Sequence, residues 1–465
     1  MQKNQQATRE MDSVVQKDPI AAVATAPGEA GISVLRVSGE QAIEKVNRAF
    51  KGKDLASQKT HTVHFGKIID GEQVVDEVLV TIFRSPASYT GEDTVEVSCH
   101  GGVLVTQRVL EALLKQDIRH AEPGEFTQRA FLNGKLELSQ AEAVADLIHA
   151  KSMKAVEAAG IQLQGALGKH IAQFRQQIID ATAMVELELD FIEEDVEFAS
   201  QQELLALLQS VDDEMGRLID TYESGRLVKY GVQTVFVGRP NVGKSTLLNT
   251  LIGKERAIVS ATAGTTRDTI DADWNYEGIT FTLTDTAGLR ETADEIEAEG
   301  VSRSESAINN ADLILFLKDV SEELMDEELR LLEKIRNRAE KKVLLHVGTK
   351  ADLVEKVDSD LYDVTISAKT GEGVEELKKN IKDAVLKGKS IDTGKLLVTS
   401  VRHRDALQKA RSFIRSSMEA LQQGVSGELL AIDLRAALHE LGAITGEITT
   451  EDILDSVFSR FCIGK

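Results

Sequence analysis

The chain has 465 residues, 42% of them apolar, which suits two or three domains with cores of their own and excludes an intrinsically disordered protein. Its formal net charge of −22 repels polyanions on balance, so a nucleic-acid substrate calls for a basic partner to supply much of the grip, although the same charge fits an ordinary soluble acidic enzyme. The polar start MQKNQQATREMDSVVQKDPI lacks an apolar secretory segment, no uncharged apolar run is long enough to span a membrane, and Cys99 and Cys462 are far apart, so a cytoplasmic protein without a disulfide framework is expected.

Four of the five prolines precede residue 124, and the front of the chain reads as a mixed α and β domain over 1–136. GISVLRVSG, EVLVTIF and TVEVSCHGG are strand-like with glycine boundaries, and GVLVTQRVLEALLKQ has helical spacing. A helical segment follows over 137–231, where Ser139 and Glu142 have capping-box spacing and Gly160, Gly165 and Gly168 predict a break or a close helix contact. From 232 to 383 strand and helix alternate (TVFVG, STLLNTLIG, ITFTLTDTAG, ADLILFLKDV, KKVLLHVGTKAD, DVTISAKTG, GVEELKKNIKDAV), the order of a mainly parallel α/β domain. Helical patterns return over 384–465, so the economical reading is a multidomain α/β and α+β protein whose α/β domain is inserted into a discontinuous helical one.

GRPNVGKSTLLNTLIG has the spacing of a phosphate-binding loop between a strand and a helix. Gly238, Asn241, Val242, Gly243, Lys244, Ser245 and Thr246 are its candidate nucleotide contacts: backbone N–H groups wrap phosphates, Lys244 neutralises them and Ser245 offers a hydroxyl to Mg²⁺. GTTRD supplies Thr266 as a second hydroxyl for Mg²⁺. DTAG (Asp285, Thr286, Ala287, Gly288) ends a strand, with Asp285 for the metal and the Gly288 N–H for the γ-phosphate. TKAD brings Thr349, Lys350 and Asp352, whose carboxylate accepts the N1 and N2 donors that distinguish guanine from adenine, and SAK (Ser367, Ala368, Lys369) completes a base-binding wall. Thr349 departs from the usual asparagine of the base motif, and a hydroxyl makes fewer hydrogen bonds than an amide. Leu289 stands where related GTPases place a water-orienting glutamine, so hydrolysis needs another group for the water and another positive charge. Asn241 can hold a monovalent cation beside the phosphates, or serve only as a polar turn residue.

The five nucleotide motifs together resemble a small GTPase of the translation-factor-related class. With SYTGEDTVEVSCHGG, AEPGEFTQRAFLNGKLELSQAEAV and the terminal FCIGK, the chain resembles the MnmE (TrmE) family of tRNA uridine-modification GTPases over essentially its whole length. That resemblance implies an N-terminal domain that binds a tetrahydrofolate derivative (5,10-methylene or 5-formyl) and forms a homodimer, together with the helical and inserted GTPase domains. It also implies an FAD-carrying partner, MnmG (GidA), in a heterotetramer or larger complex. The activity implied is GTP hydrolysis coupled to placing an aminomethyl or carboxymethylaminomethyl group at C5 of the wobble uridine of certain tRNAs. Carried onto this sequence, the folate contacts are Arg36, Glu96, Lys135 and Lys465; the K⁺ ligands are Asn241 with backbone oxygens of Ser260, Thr262 and Thr265; and Glu297 orients the attacking water. Without the resemblance, the four folate positions are surface charges and Glu297 is one carboxylate of a solvated run. The alternative is a GTP-switched ribosome or assembly factor with no modification chemistry, in which the flanking domains only bind.

Cys462 has the spacing of a prenylation signal, but the terminal lysine and the absence of a polybasic run argue against lipidation. Ile453, Leu454, Val457, Phe458 and Phe461 form a helical stripe that would hold the last helix and deliver the tail to a site, where a chemical role for the Cys462 thiol is open.

Overall fold

The computed structural model describes residues 18–190, 201–253, 271–285, 307–323, 325–338, 342–356, 361–388 and 391–465. The chain divides into two compact units, Met1–Ile148 with Gln162–Val211 and Lys409–Lys465, and His149–Ile161 with Asp212–Gln408. Both are discontinuous in sequence.

The first unit is built on strands β1 (Ile20–Val23), β2 (Ala30–Ser38), β3 (Phe50–Lys51), β4 (Thr62–Asp70), β5 (Gln73–Phe83), β6 (Thr94–Gly101) and β7 (Arg119–His120). They form one seven-stranded sheet in the order β3-β4-β5-β6-β2-β1-β7, antiparallel except where β1 meets β7. Alternation along the strands decides which face is covered. Leu35, Val37, Val80, Ile82, Val95 and Val97 point into a core shared with Ile43 and Val46 of helix Ala42–Ala49 and Val109 and Leu113 of helix Val103–Leu114. On the other face Ile32 and Phe65 are 63% and 64% exposed, and Leu79 is exposed beside Phe65 in the β4–β5 register.

The helical part of this unit places Gly427–Thr445 along Ala166–Asp190. The C-terminal helix Glu451–Phe458 buries Leu454, Val457, Phe458 and Phe461 against Phe131, Leu138, Ala141 and Ala145, so the predicted stripe is the face that packs. Each such side chain removed from water contributes about 1.5–3 kcal/mol. The expected Ser139 cap does not form, because helix Leu138–His149 starts two residues earlier than that cap requires and leaves the buried Ser139 hydroxyl inside its first turn. Gln140 Oε1 accepts the Glu137 N–H at 3.0 Å instead. The predicted break lies at Gly165, between helices Met153–Leu163 and Ala166–Asp190, and Gly168 meets the Glu137 carboxylate, whereas the space around Gly160 is open.

The second unit contains β8 (Val232–Val237), β9 (Asp271–Tyr276), β10 (Ile279–Asp285), β11 (Leu313–Asp319), β12 (Val343–Thr349) and β13 (Val364–Thr365), in the order β13-β12-β11-β8-β10-β9. All pairs are parallel except the edge hairpin β9–β10, whose outer strand β9 the sequence reading did not include. β11 is buried at every position, as a central parallel strand covered on both faces should be, and it reads LILFLKD without alternation. Helices Lys244–Ile252 and Val374–Leu386 pack Leu247, Leu251, Leu377 and Ile381 into the core with Phe236, Phe281 and Leu315.

Candidate functional site

The nucleotide motifs converge at the carboxyl ends of β8, β11, β12 and β13, where parallel α/β sheets place ligands. After β8 the chain turns sharply through Gly238–Gly243 into helix Lys244–Ile252. A Cβ at Gly238 would stand 2.5 Å from the Leu317 carbonyl, so only glycine lets the loop leave the strand this close to β11. Gly243, at φ 104, caps the helix with open space where a side chain would project. That hollow, at a helix N-terminus whose first N–H groups lack helical partners, fits a phosphate. The buried Lys244 ammonium donates to the Gly238 and Arg239 carbonyls, each at 2.8 Å, and stands over the loop as a phosphate counter-charge. Asn241, in the left-handed region at φ 62, is exposed on the loop, and Ser245 and Thr246 are exposed on the first turn.

The base wall is assembled from two segments. Lys350 follows β12 and pairs with Asp319 at the end of β11, Nζ to Oδ2 2.6 Å. Burial alone would raise the Asp319 carboxyl, but hydrogen bonds from Lys350 and Ser321 outweigh it and hold it below its ordinary value. Asp352 Oδ1 accepts the hydroxyl of fully buried Ser367 at 2.7 Å, which leaves Oδ2 as an acceptor. The Ser367 hydroxyl in turn accepts the Thr370 N–H at 3.2 Å. Thr349 Oγ1 donates to the Val242 carbonyl at 2.7 Å and ties the wall to the phosphate loop, and on the following helix the Thr250 hydroxyl lies 2.8 Å from the Thr246 carbonyl and 3.2 Å from the Ala368 carbonyl. Lys369 is exposed beside them. Asp285 ends β10 opposite Phe236 of β8, one strand from the loop. Ser260, Thr262, Thr265, Thr266, Thr286, Ala287, Gly288 and Glu297 lie outside the described residues.

A second polar cluster is in the other compact unit. Arg36 and Glu96 are directly opposed in the β2–β6 register, and Arg36 Nε and Nη2 donate to Glu96 Oε1 at 3.0 and 2.8 Å. The guanidinium lies 5.1 Å from the Tyr89 ring centroid and 5.8 Å from that of Phe126. Tyr89 donates or accepts with Thr127 at 2.9 Å, and burial pushes its phenol up. Lys135 is not in contact with this pair; its Nζ donates to the Pro86 carbonyl at 3.0 Å and its stem lies on Gly91, in the loop that carries Tyr89. The C-terminal tail comes to the same strand neighbourhood. Ile463 bridges Pro123, and Gly464 lies against Val23 of β1, adjacent to Ala22, the register partner of Arg36. Cys462 is an exposed free thiol and Lys465 is half-buried. The aromatic shelf under Arg36 was missed in the sequence because its parts are separated by tens of residues and meet only in the folded sheet.

The family model for the MnmE helical domain matches residues 138–462 and that for the GTP-binding protein TrmE N-terminus matches 19–135. A Salinibacter ruber protein named tRNA modification GTPase MnmE is 47% identical over 459 residues, 97% of this chain and 100% of its own length. A Chlorobium phaeobacteroides protein of the same name is 46% identical over 97% of this chain and 98% of its own. The chain belongs to the MnmE family of tRNA modification GTPases. It is therefore a GTP-binding enzyme, a GTP hydrolase of tRNA modification. Among solved structures, the G domain of the T. maritima FeoB iron transporter aligns at 28% identity and TM-score 0.26 over 32% of this chain and 96% of that domain, a score on which nothing further rests.

Proposed function

We propose that this chain is a potassium-activated GTPase that works with an FAD-carrying partner of the MnmG type. In this reading it installs an aminomethyl or carboxymethylaminomethyl group at C5 of the wobble uridine of certain tRNAs. The observation that carries the proposal is the presence of two built polar sites in one chain: the phosphate loop in one compact unit, and the Arg36–Glu96 pair on its aromatic shelf beside the C-terminal tail in the other. A pure GTP switch has no use for the second.

At the second site, Arg36 Nη1 and Glu96 Oε2 have no protein partner among the described residues, an unused donor and acceptor next to two rings. That set suits a flat heterocycle with amino groups and a carboxylated tail, the chemistry of a folate. Glu96 accepts from the heterocycle's amine and ring N–H, while Arg36, Lys135 and Lys465 face the glutamyl carboxylates. A folate bound there would supply the one-carbon unit. The exposed part of the sheet supports a homodimer: Val34, Ser98, Leu79 and Phe65 form one cross-strand row on the face opposite helices Ala42–Ala49 and Val103–Leu114.

At the phosphate loop, Lys244 and the helix N-terminus hold phosphates, and Ser245 with Thr266 and Asp285 would hold Mg²⁺. Exposed Asn241, with backbone oxygens of Ser260, Thr262 and Thr265, would hold K⁺ as the extra positive charge, and Glu297 would orient water. The domains in this reading are 1–136, 137–231 with 384–465, and the inserted 232–383. GTP hydrolysis should be stimulated by K⁺ and little by Na⁺, and Asn241→Ala should flatten the K⁺ response while GTP binding persists. Equal rates in the two salts would remove the potassium mechanism. Independently, 5-formyltetrahydrofolate should bind the full chain, and Arg36→Met should weaken it; no binding by the wild type would favour the switch.

A further inference from the structure

Thr349 stands where guanine-binding walls usually carry an asparagine, and the structure shows how its side chain is used. The residue is 3% exposed at the end of β12. Its hydroxyl faces two carbonyls, Val242 of the phosphate loop at 2.7 Å and Lys318 of β11 at 3.1 Å. A hydroxyl has one proton, and both neighbours are acceptors, so its whole donor capacity is spent inside the protein. An amide in the same place has two donors, one for the loop carbonyl and one to spare. Guanine N7 is an acceptor and requires a donor.

We infer that Thr349 is a positioning residue that locks the phosphate loop to the sheet and does not read the base, so that guanine N7 goes unread and guanine selectivity rests on Asp352. The inference rests on the GTP-site reading above and says which edge of the base that site recognises. Asp352 can carry selectivity alone because Ser367, itself buried and held through the Thr370 N–H, fixes one carboxylate oxygen and leaves the other to the N1 and N2 donors. The wall is thus built to read one edge of guanine and to use the opposite position for architecture.

The test measures binding of GTP, 7-deaza-GTP and inosine triphosphate to the full chain and to single variants. Wild type should bind GTP and 7-deaza-GTP within about twofold of each other, because the Thr349 hydroxyl has no proton left to offer N7. Thr349→Asn should open a gap of about fivefold in favour of GTP, the worth of one added hydrogen bond. Thr349→Val removes the hydroxyl but keeps the shape, and should weaken all three nucleotides by a common factor through the loosened loop. A wild-type penalty on 7-deaza-GTP as large as that of Thr349→Asn would overturn the inference, as would a Thr349→Val loss confined to GTP. Should Thr349→Val fail to fold, the wild-type and Thr349→Asn comparison decides by itself. Asp352→Asn separates this from the parent reading: it should move preference from GTP toward xanthosine triphosphate, and failure to do so would remove the base-site assignment whatever 7-deaza-GTP does.

Discussion

Arg129 shows how much a single side chain can hold in this fold. It is 3% exposed, and its two terminal nitrogens reach Glu92 at 3.3 Å, Glu125 at 2.9 Å, Asp18 at 3.4 Å and the Asp18 carbonyl at 3.0 Å. Arg119 shares Glu125 and Asp18 with it. Burial alone would raise the Glu125 carboxyl, but hydrogen bonds from Arg119, the Glu122 N–H and Arg129 outweigh it and hold it below its ordinary 4.5. Asp18 is likewise held below 3.8, burial being outweighed by Arg119 and Arg129. Removing Arg129 leaves the partly buried Glu92, Glu125 and Asp18 carboxylates each short of a partner, so Arg129→Met should cost about 1–3 kcal/mol, read as a lowered thermal midpoint. The sign with pH follows from the lowered values: the stabilisation is complete above the ordinary pKa values and is lost as pH falls from there through the folded ones. Wild type should therefore lose stability on acidification faster than the variant, and parallel acid curves would show that the network contributes nothing. None of this was legible in the sequence, where Arg129 is one charge in FTQRAFL and its partners lie up to 111 residues away.

At the scale of elements, the C-terminal helix is a delivery device. Its buried stripe seats it on helices Glu125–Leu132 and Leu138–His149, and the last residues then run to β1. Gly464 sits at φ 99 with the Val23 carbonyl 2.2 Å from where a Cβ would be, so any side chain there moves the tail. On the folate reading, Gly464→Ala should lower wobble-uridine modification by about a hundredfold, the effect of a small misplacement of reacting groups. GTP hydrolysis should stay within about twofold of wild type, since the phosphate loop belongs to the other unit. Deleting Cys462–Lys465 should act in the same way, with modified nucleoside by mass spectrometry and phosphate release as the two readouts. Equal loss of both activities would make the tail structural. The stripe could be read from spacing alone, because a helix of period 3.6 advertises its buried face. The Ser139 cap could not, since which residue starts a helix depends on what the preceding turn packs against.

At the scale of the whole molecule, the net charge of −22 sets how the chain meets tRNA. Few phosphates can be neutralised by such a surface, so the isolated protein should bind tRNA weakly and with a shallow dependence on salt, and adding the proposed flavoprotein partner should steepen it. Tight, steeply salt-dependent binding by the isolated chain would reveal a basic surface concealed by the total. What the sequence determined by itself was local or contiguous: the phosphate loop between strand and helix, the alternation of an α/β domain, the helical stripe, and the long stretches that mark the family. These are legible because backbone geometry imposes fixed spacings on neighbouring residues. The tertiary structure alone decided what depends on distant segments meeting. It set Thr349 on the Val242 carbonyl, paired Arg36 with Glu96 over Tyr89 and Phe126, buried Arg129 among three carboxylates, and added the antiparallel edge strand β9. Such contacts leave no period in the sequence, because they are fixed by how whole elements pack and not by the geometry of any one of them.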